Sequence, residues 1–134
     1  MSSSTSIAKR EVSKAVLITG CSSGIGKATA AYLAERGWTV WATARKKESL
    51  AELEAKGCHT LALDVVDDAS MERAVRAVEA VHGAFGVLIN NAGYDQAGAI
   101  EAVPLERVRA QFETNVFGLA RLTQLVLPKM RGQG

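Results

Sequence analysis

The stretch of this 134-residue chain best suited to grip an anion is Thr19-Gly20-Cys21-Ser22-Ser23-Gly24-Ile25-Gly26. It follows an apolar run, Ala15-Val16-Leu17-Ile18, and opens a helical pattern. A pyrophosphate needs several backbone N–H groups aimed at one point, and the positive end of a helix macrodipole supplies them. Side chains would block that approach, so glycine stands at the close-contact positions, and Ser22 and Ser23 add hydroxyl donors. The spacing, G-x-x-x-G-x-G, is longer than the common G-x-G-x-x-G dinucleotide fingerprint. It also fails as a Walker A loop, which demands glycine, four residues, then Gly-Lys-Ser/Thr. Gly26-Lys27 is present, but Cys21 stands where the first glycine is required and Ala28 follows Lys27. Nucleotide hydrolysis is disfavoured on that ground.

A second constellation lies at the end of the next apolar run, in Thr43-Ala44-Arg45-Lys46-Lys47. Sites for NAD place a carboxylate at this strand end to accept from the adenosine ribose hydroxyls, and that carboxylate repels a 2′-phosphate. Here there is no acid. Arg45 offers a planar fork suited to phosphate, and Lys46 and Lys47 add positive charge. Cations sit poorly beside a helix N-terminus, which argues against a merely solvated helix start. NADP(H) is therefore the expected cofactor, with Arg45 as the main 2′-phosphate contact.

Other polar residues have plainer readings on their own. Asp64, before Val65, suits a cap on the turn after a strand, and Asn90 and Asn91 suit a turn in which Gly93 follows Ala92. Asn115 has apolar helical neighbours in Phe112, Val116 and Leu119, so it is expected to border the buried side and to need partners there. Cys21 and Cys58 make neither a disulfide framework nor a metal-ligand cluster, and His59 and His82 lack ligand-spaced companions. No metal is expected.

The elements that must position these residues alternate along the chain. Short apolar runs at 15–18, 39–42, 61–63 and 87–89 read as strands covered on both faces. Helical patterns occupy 25–36, 46–56 and 69–82, each stopping at a glycine. From about Leu105 a longer helix carries Val108, Phe112, Val116, Leu119, Leu122, Val126 and Met130 at steps of three and four, with Pro104 suited to its first position. The order β-α-β-α-β-α-β-α implies right-handed crossovers. The expected fold is α/β, a doubly wound parallel sheet of Rossmann type with about four strands and helices on both faces. Residues 1–12 read as a flexible tail and 13–134 as the NADP-binding domain, an N-terminal part of it.

Composition bounds the partners. The chain is 48% hydrophobic and 22% charged with mean hydropathy +0.06, enough for a packed core. A net charge of +2 and a pI near 8.7, with basic residues scattered among acids, give no footprint for nucleic acid. No apolar stretch is long enough to span a bilayer and no secretory signal pattern occurs, so no membrane partner is expected and a reducing cytoplasm is the default.

Taken together, the motifs resemble the short-chain dehydrogenases/reductases over about residue 13 to the end. Thr19 to Gly26 matches their TGxxxGIG cofactor motif, Asn90-Asn91-Ala92-Gly93 their NNAG motif, and Asp64-Val65 the acidic residue that binds adenine. Asn115, within Glu113-Thr114-Asn115-Val116-Phe117-Gly118, matches the helical asparagine of their catalytic tetrad. TGCSSGIG, Trp41-Ala42-Thr43-Ala44-Arg45 and NNAGY are most similar to the hydroxysteroid-dehydrogenase-like branch. The resemblance implies cofactor contacts from Gly20, Ser22, Ser23, Gly24, Ile25, Gly26, Asp64, Val65, Asn91, Ala92 and Gly93. It also implies a catalytic Asn115 that holds a water in a proton relay, and hydride transfer between nicotinamide and a small-molecule carbonyl or secondary alcohol.

The family's serine and Tyr-x-x-x-Lys pair have no counterpart here: Tyr32 is followed four residues on by Arg36, and Tyr94 by Gly98. The expectation is that these residues are the retained part of a larger protein, inactive alone, with an open sheet edge beyond the fourth strand and an uncovered apolar stripe on the last helix. Association with further copies through that helix is expected, and Tyr94 to Val103 are expected to line part of the pocket. The alternative is a non-catalytic dinucleotide-binding module.

Overall fold

The computed structural model describes residues 11–134. Residues 1–10 of the expected tail lie outside the described residues; Glu11 and Val12 are exposed and carry no regular structure. The chain then forms β1 (Ala15–Ile18), α1 (Gly24–Glu35), β2 (Thr39–Ala44), a 3₁₀ turn (Lys47–Leu50) leading into α2 (Ala51–Ala55), and β3 (His59–Ala62). There follow α3 (Asp68–His82), β4 (Val87–Ile89), α4 (Leu105–Phe112), a π-helical segment (Glu113–Gly118) and α5 (Leu119–Gln133).

All four strands are parallel, in the order β3-β2-β1-β4. Successive side chains of a strand point to opposite faces, and β1 shows what that does here. Val16 and Ile18 join Ala30, Val40, Leu50 and Leu53 under α1 and α2, while Leu17 joins Met71, Val75, Val78, Phe85, Leu122 and Val126 under α3 and α5. Two apolar clusters therefore cover the two faces, as the continuous apolar strands require. Burial of each such side chain contributes about 1.5–3 kcal/mol before its entropy cost.

Chain order reverses at β1, which has β2 on one side and β4 on the other. In open α/β sheets the crevice outside the carboxyl ends of the strands at such a switch point is where ligands bind. The glycine turn leaves β1 there, and Asn90 to Gly93 leave β4 there.

Four details depart from the sequence expectation. β3 begins at His59, two residues before the apolar run, because Trp41 and Ala42 of β2 pair with His59 and Thr60; the Thr60 hydroxyl, 8% exposed, donates to Glu54 Oε2 at 3.1 Å. The helix expected over 46–56 is a 3₁₀ turn plus a five-residue helix. Both the N–H and the hydroxyl of Ser49 bond the Lys46 carbonyl, tightening that first turn. Pro104 is the extended N-cap of α4, with ψ 139°, and the helix starts one residue later. Finally, the long helix is interrupted by the π segment and runs on to Gln133.

Candidate functional site

A cleft of about 660 Å³ opens at the carboxyl ends of the strands. Gly20, Ser22, Ser23, Gly24 and Ile25 enter it from β1, and Ala44 and Arg45 from β2. Leu63, Asp64, Val65 and Val66 enter from β3, and Asn91, Ala92, Gly93 and Tyr94 from β4. Thr114 of the π segment completes the lining. The structure thus gathers eleven of the thirteen expected site residues around one space; Gly26 and Asn115 stand behind its wall.

The floor is the start of α1. Ser23 is its extended N-cap, yet its side chain makes no capping bond, and the first turn holds no acid. α3 is the internal contrast: Asp67 accepts from the Ser70 N–H and Asp68 adds a carboxylate to the first turn. The first-turn donors of α1 have no side-chain cap, and Gly24 and Ile25 line the cleft, where an anion would meet N–H groups and the dipole. Gly20 adopts φ +70°, and a Cβ there would lie 2.9 Å from Ala92 Cα. A Cβ on Gly26 would overlap the Gly20 carbonyl and Asn91 Nδ2. Glycine is required at both by the closeness of the β4 end.

The side chains of Thr19 and Asn91 clamp the β1 and β4 ends together. The Thr19 hydroxyl, 1% exposed, accepts from the N–H groups of Asn91 at 3.0 Å and Ala92 at 2.9 Å. Asn91 Nδ2 donates to the carbonyls of Thr19 at 3.1 Å and Gly20 at 3.0 Å. Asn90 turns the other way and donates to Thr123 Oγ1 of α5 at 3.1 Å. Asn91 is therefore more than a turn residue: its side chain braces the glycine loop. Thr19 was not singled out from the sequence, although a hydroxyl closing an otherwise apolar strand was a usable signal.

On the far wall Asp64 caps the turn after β3 and also lines the cleft. Its Oδ1 accepts from the Val66 N–H at 3.1 Å, a turn-capping bond, while its own N–H donates to Ser70 Oγ at 2.9 Å, and the residue still lines the cleft. Arg45 is exposed at the rim and forms no ion pair among the described residues. Lys27, by contrast, pairs with Glu52 of α2 at 2.6 Å and does not line the cleft. That ammonium holds the Glu52 carboxyl below its ordinary range.

Asn115 is half-buried, but its apolar neighbours are not: Phe112 is 50% exposed, Val116 45% and Leu119 39%. The expectation that they mark a buried border is corrected. What Asn115 faces is backbone. Its Nδ2 donates to the Tyr94 carbonyl at 2.7 Å and its Oδ1 accepts from the Tyr94 N–H at 3.1 Å. The segment after β4 lies so close that a Cβ on Gly93 would stand 3.0 Å from Oδ1. The π segment brings this about, turning Thr114 to the cleft and Asn115 to Tyr94, and such bulges concentrate at functional sites. Of the Tyr94 to Val103 stretch, only Tyr94 lines the cleft.

Cys21 lies inside the glycine turn but is fully buried and donates to the Ile18 carbonyl. Burial pushes its thiol up to about 11, so it packs as an apolar residue. Among the described residues no three of His, Cys, Asp and Glu are grouped to hold a metal, and no helix is long and apolar enough to cross a membrane.

Comparison with known proteins agrees with this geometry. The short chain dehydrogenase family model matches residues 14–134. The chain is 41% identical over 117 residues to the 3-ketodihydrosphingosine reductase of Bacteroides thetaiotaomicron, covering 87% of this chain and 42% of the reductase. A short-chain dehydrogenase from Streptomyces avermitilis superposes with a TM-score of 0.86 at 41% identity, over 90% of this chain and 46% of that one. L-sorbose reductase from Gluconobacter frateurii, complexed with NADPH and L-sorbose, superposes with a TM-score of 0.81 at 31% identity, over 94% and 51%. The chain thus spans about half or less of the length of these relatives.

Proposed function

The chain belongs to the short-chain dehydrogenase family, and from that premise we propose that it binds NADP(H) in the cleft and serves the transfer of hydride between the nicotinamide and a carbonyl or secondary alcohol. The carrying observation is the pairing of an uncapped α1 N-terminus, with Gly20 and Gly26 too crowded for any side chain, and a free Arg45 at a β2 end that lacks a carboxylate. That the L-sorbose reductase is described with NADPH supports the same choice. When bound, the cofactor supplies or accepts the hydride.

The rest is what this chain's residues do. The N–H groups of Gly24, Ile25 and Gly26, with the Ser22 and Ser23 hydroxyls, hold the diphosphate against the positive end of α1. Arg45 pairs with the 2′-phosphate through its planar fork, and Lys46 and Lys47 add to the local positive charge. Asp64 and Val65, with Thr114 opposite, enclose the adenine. Ala92 and Gly93 let the dinucleotide cross the β4 end, which the Thr19–Asn91 bonds keep in place. Asn115 serves the proton relay from behind the wall by holding the Tyr94 segment with its side-chain amide. The exposed stripe at Phe112, Val116 and Leu119 is assigned to pairing with a second copy.

A second reading is a dinucleotide-binding module without turnover, for which the cleft and the uncapped start of α1 would suffice. NADPH titration followed by backbone amide shifts tests the binding proposal. Shifts concentrated at Gly20–Gly26, Arg45 and Asn91–Tyr94 are expected, and shifts confined elsewhere would overturn it. Oxidation of NADPH by ketones, where it is seen, would overturn the module reading.

A further inference from the structure

The far end of α3 carries a polar cluster that plays no part in the cleft. α3 starts beside Asp64 and runs 15 residues, about 22 Å, to His82. There the buried Trp41 of β2 donates its indole N–H to His82 Nε2 at 3.0 Å, the two rings edge-on with centroids 5.8 Å apart. His59 of β3 stacks on the same indole at 4.4 Å and 17°. One turn before His82 stands Glu79, whose side chain is only 8% exposed. Its Oε2 pairs with Lys129 Nζ of α5 at 2.9 Å, but its Oε1 has no hydrogen-bond partner among the described residues.

Two chemical requirements meet at His82. To accept from an indole, Nε2 must be unprotonated, which places the neutral ring's proton on Nδ1. An imidazolium carries N–H at both positions and can accept nothing. Meanwhile a buried carboxylate oxygen without a donor is costly to leave as it is. His82 lies three residues beyond Glu79, the spacing that puts two helical side chains on one face. The titratable and charged groups that meet its two partners are His59 from β3, which stacks on Trp41, and Lys129 from α5, which pairs with Glu79 of its own helix. The negative end of the α3 dipole faces it as well.

We propose that His82 is a proton-operated latch. Neutral, it accepts from Trp41 and ties α3 to β2. Protonated, it releases the indole and donates to Glu79 Oε1, filling the vacancy on the buried carboxylate. Lys129 stays on Oε2 in both states, so the switch exchanges one partner of His82 and leaves the α3–α5 ion pair standing. The step is a proton gain at Nε2 from solvent, with no covalent bond made or broken beyond it.

The test is emission from Trp41 in the Trp38→Phe protein, in which it is the only tryptophan. A sigmoidal change is expected as the pH is lowered, as His82 takes up its proton. His82→Gln, which keeps a neutral acceptor for the indole, should abolish it, and His59→Phe, which keeps the stack, should preserve it. A flat titration, one surviving His82→Gln, or one lost with His59→Phe would overturn the latch. Should a variant fail to fold, the indole N–H proton of Trp41 in the unsubstituted protein gives an independent reading. It should lose its hydrogen-bonded shift over the same range, and a shift constant with pH would refute the proposal.

Discussion

Alanine at Gly26 and at Gly24 separates two reasons for glycine in the same turn. A Cβ on Gly26 would overlap the Gly20 carbonyl and the Asn91 amide, whereas nothing lies within 4 Å of a Cβ on Gly24, which instead has φ +59°. Gly26→Ala must therefore move Asn91 or the loop. Overpacking costs about 1–3 kcal/mol. Losing the two Asn91 bonds to Thr19 and Gly20 adds about 0.5–1.5 kcal/mol each. Replacing a helical glycine by alanine returns about 1 kcal/mol. The net is a destabilisation of about 3 kcal/mol. Gly24→Ala meets only left-handed strain, about 1–2 kcal/mol. Urea denaturation of the two variants against the parent measures both, and NADPH titration should show the larger loss for Gly26→Ala. Equal midpoints, or a less stable Gly24→Ala, would refute the claim that crowding by the β4 end is what demands glycine at Gly26.

Three further outcomes follow from the geometry. Asn115→Leu should expose the Tyr94 amide to hydrogen exchange while amides of β1 keep their protection, because both of its side-chain bonds go to that one residue; unchanged exchange at Tyr94 would contradict the clamp. Asp67→Ala should cost about 1 kcal/mol in chemical denaturation through loss of the α3 cap, with no change in NADPH affinity. Cys21, raised from 9.0 to about 11 by burial, should hold roughly a hundredfold less thiolate than a free thiol and resist alkylation at pH 8 until the protein unfolds. Because folding favours the thiol form, that contribution to stability is complete below pH 9.0 and declines as pH rises toward about 11. Cys21→Ala should flatten that alkaline decline.

What could be read from the residues, and what could not, divides along local and tertiary lines. Apolar runs bounded by glycines located all four strands, and the turn between β1 and α1 was legible because its chemistry depends on backbone and spacing alone. The start of β3 was not. His59 and Thr60 are polar, and only their pairing with Trp41 and Ala42 makes them strand. The π segment was equally hidden, since the stripe from Val108 to Met130 keeps steps of three and four through it. Its cause is tertiary: Gly118 packs so close to the Val65 carbonyl that a Cβ would collide, while Asn115 bonds Tyr94. The same helix shows why an apolar neighbour is a poor gauge of burial. Leu122 and Val126 reach the core under β1, whereas Val116 and Phe112, earlier on the same stripe, face outward. Thr19 and Thr114 stand in the motifs without a role of their own, because a lone hydroxyl acquires meaning only when two distant loops are brought against it.

The most direct measurement is the affinity of the purified protein for NADPH and NADH, side by side, with the parent and with Arg45→Ala. An exposed guanidinium–phosphate pair is worth about 1.5 kcal/mol, roughly tenfold in Kd. NADPH should bind the parent more tightly than NADH by at least that factor, and Arg45→Ala should erase most of the difference while leaving NADH binding nearly unchanged. Equal affinity for the two dinucleotides, or a preference for NADPH that survives Arg45→Ala, would contradict a cleft read by Arg45 at the 2′-phosphate.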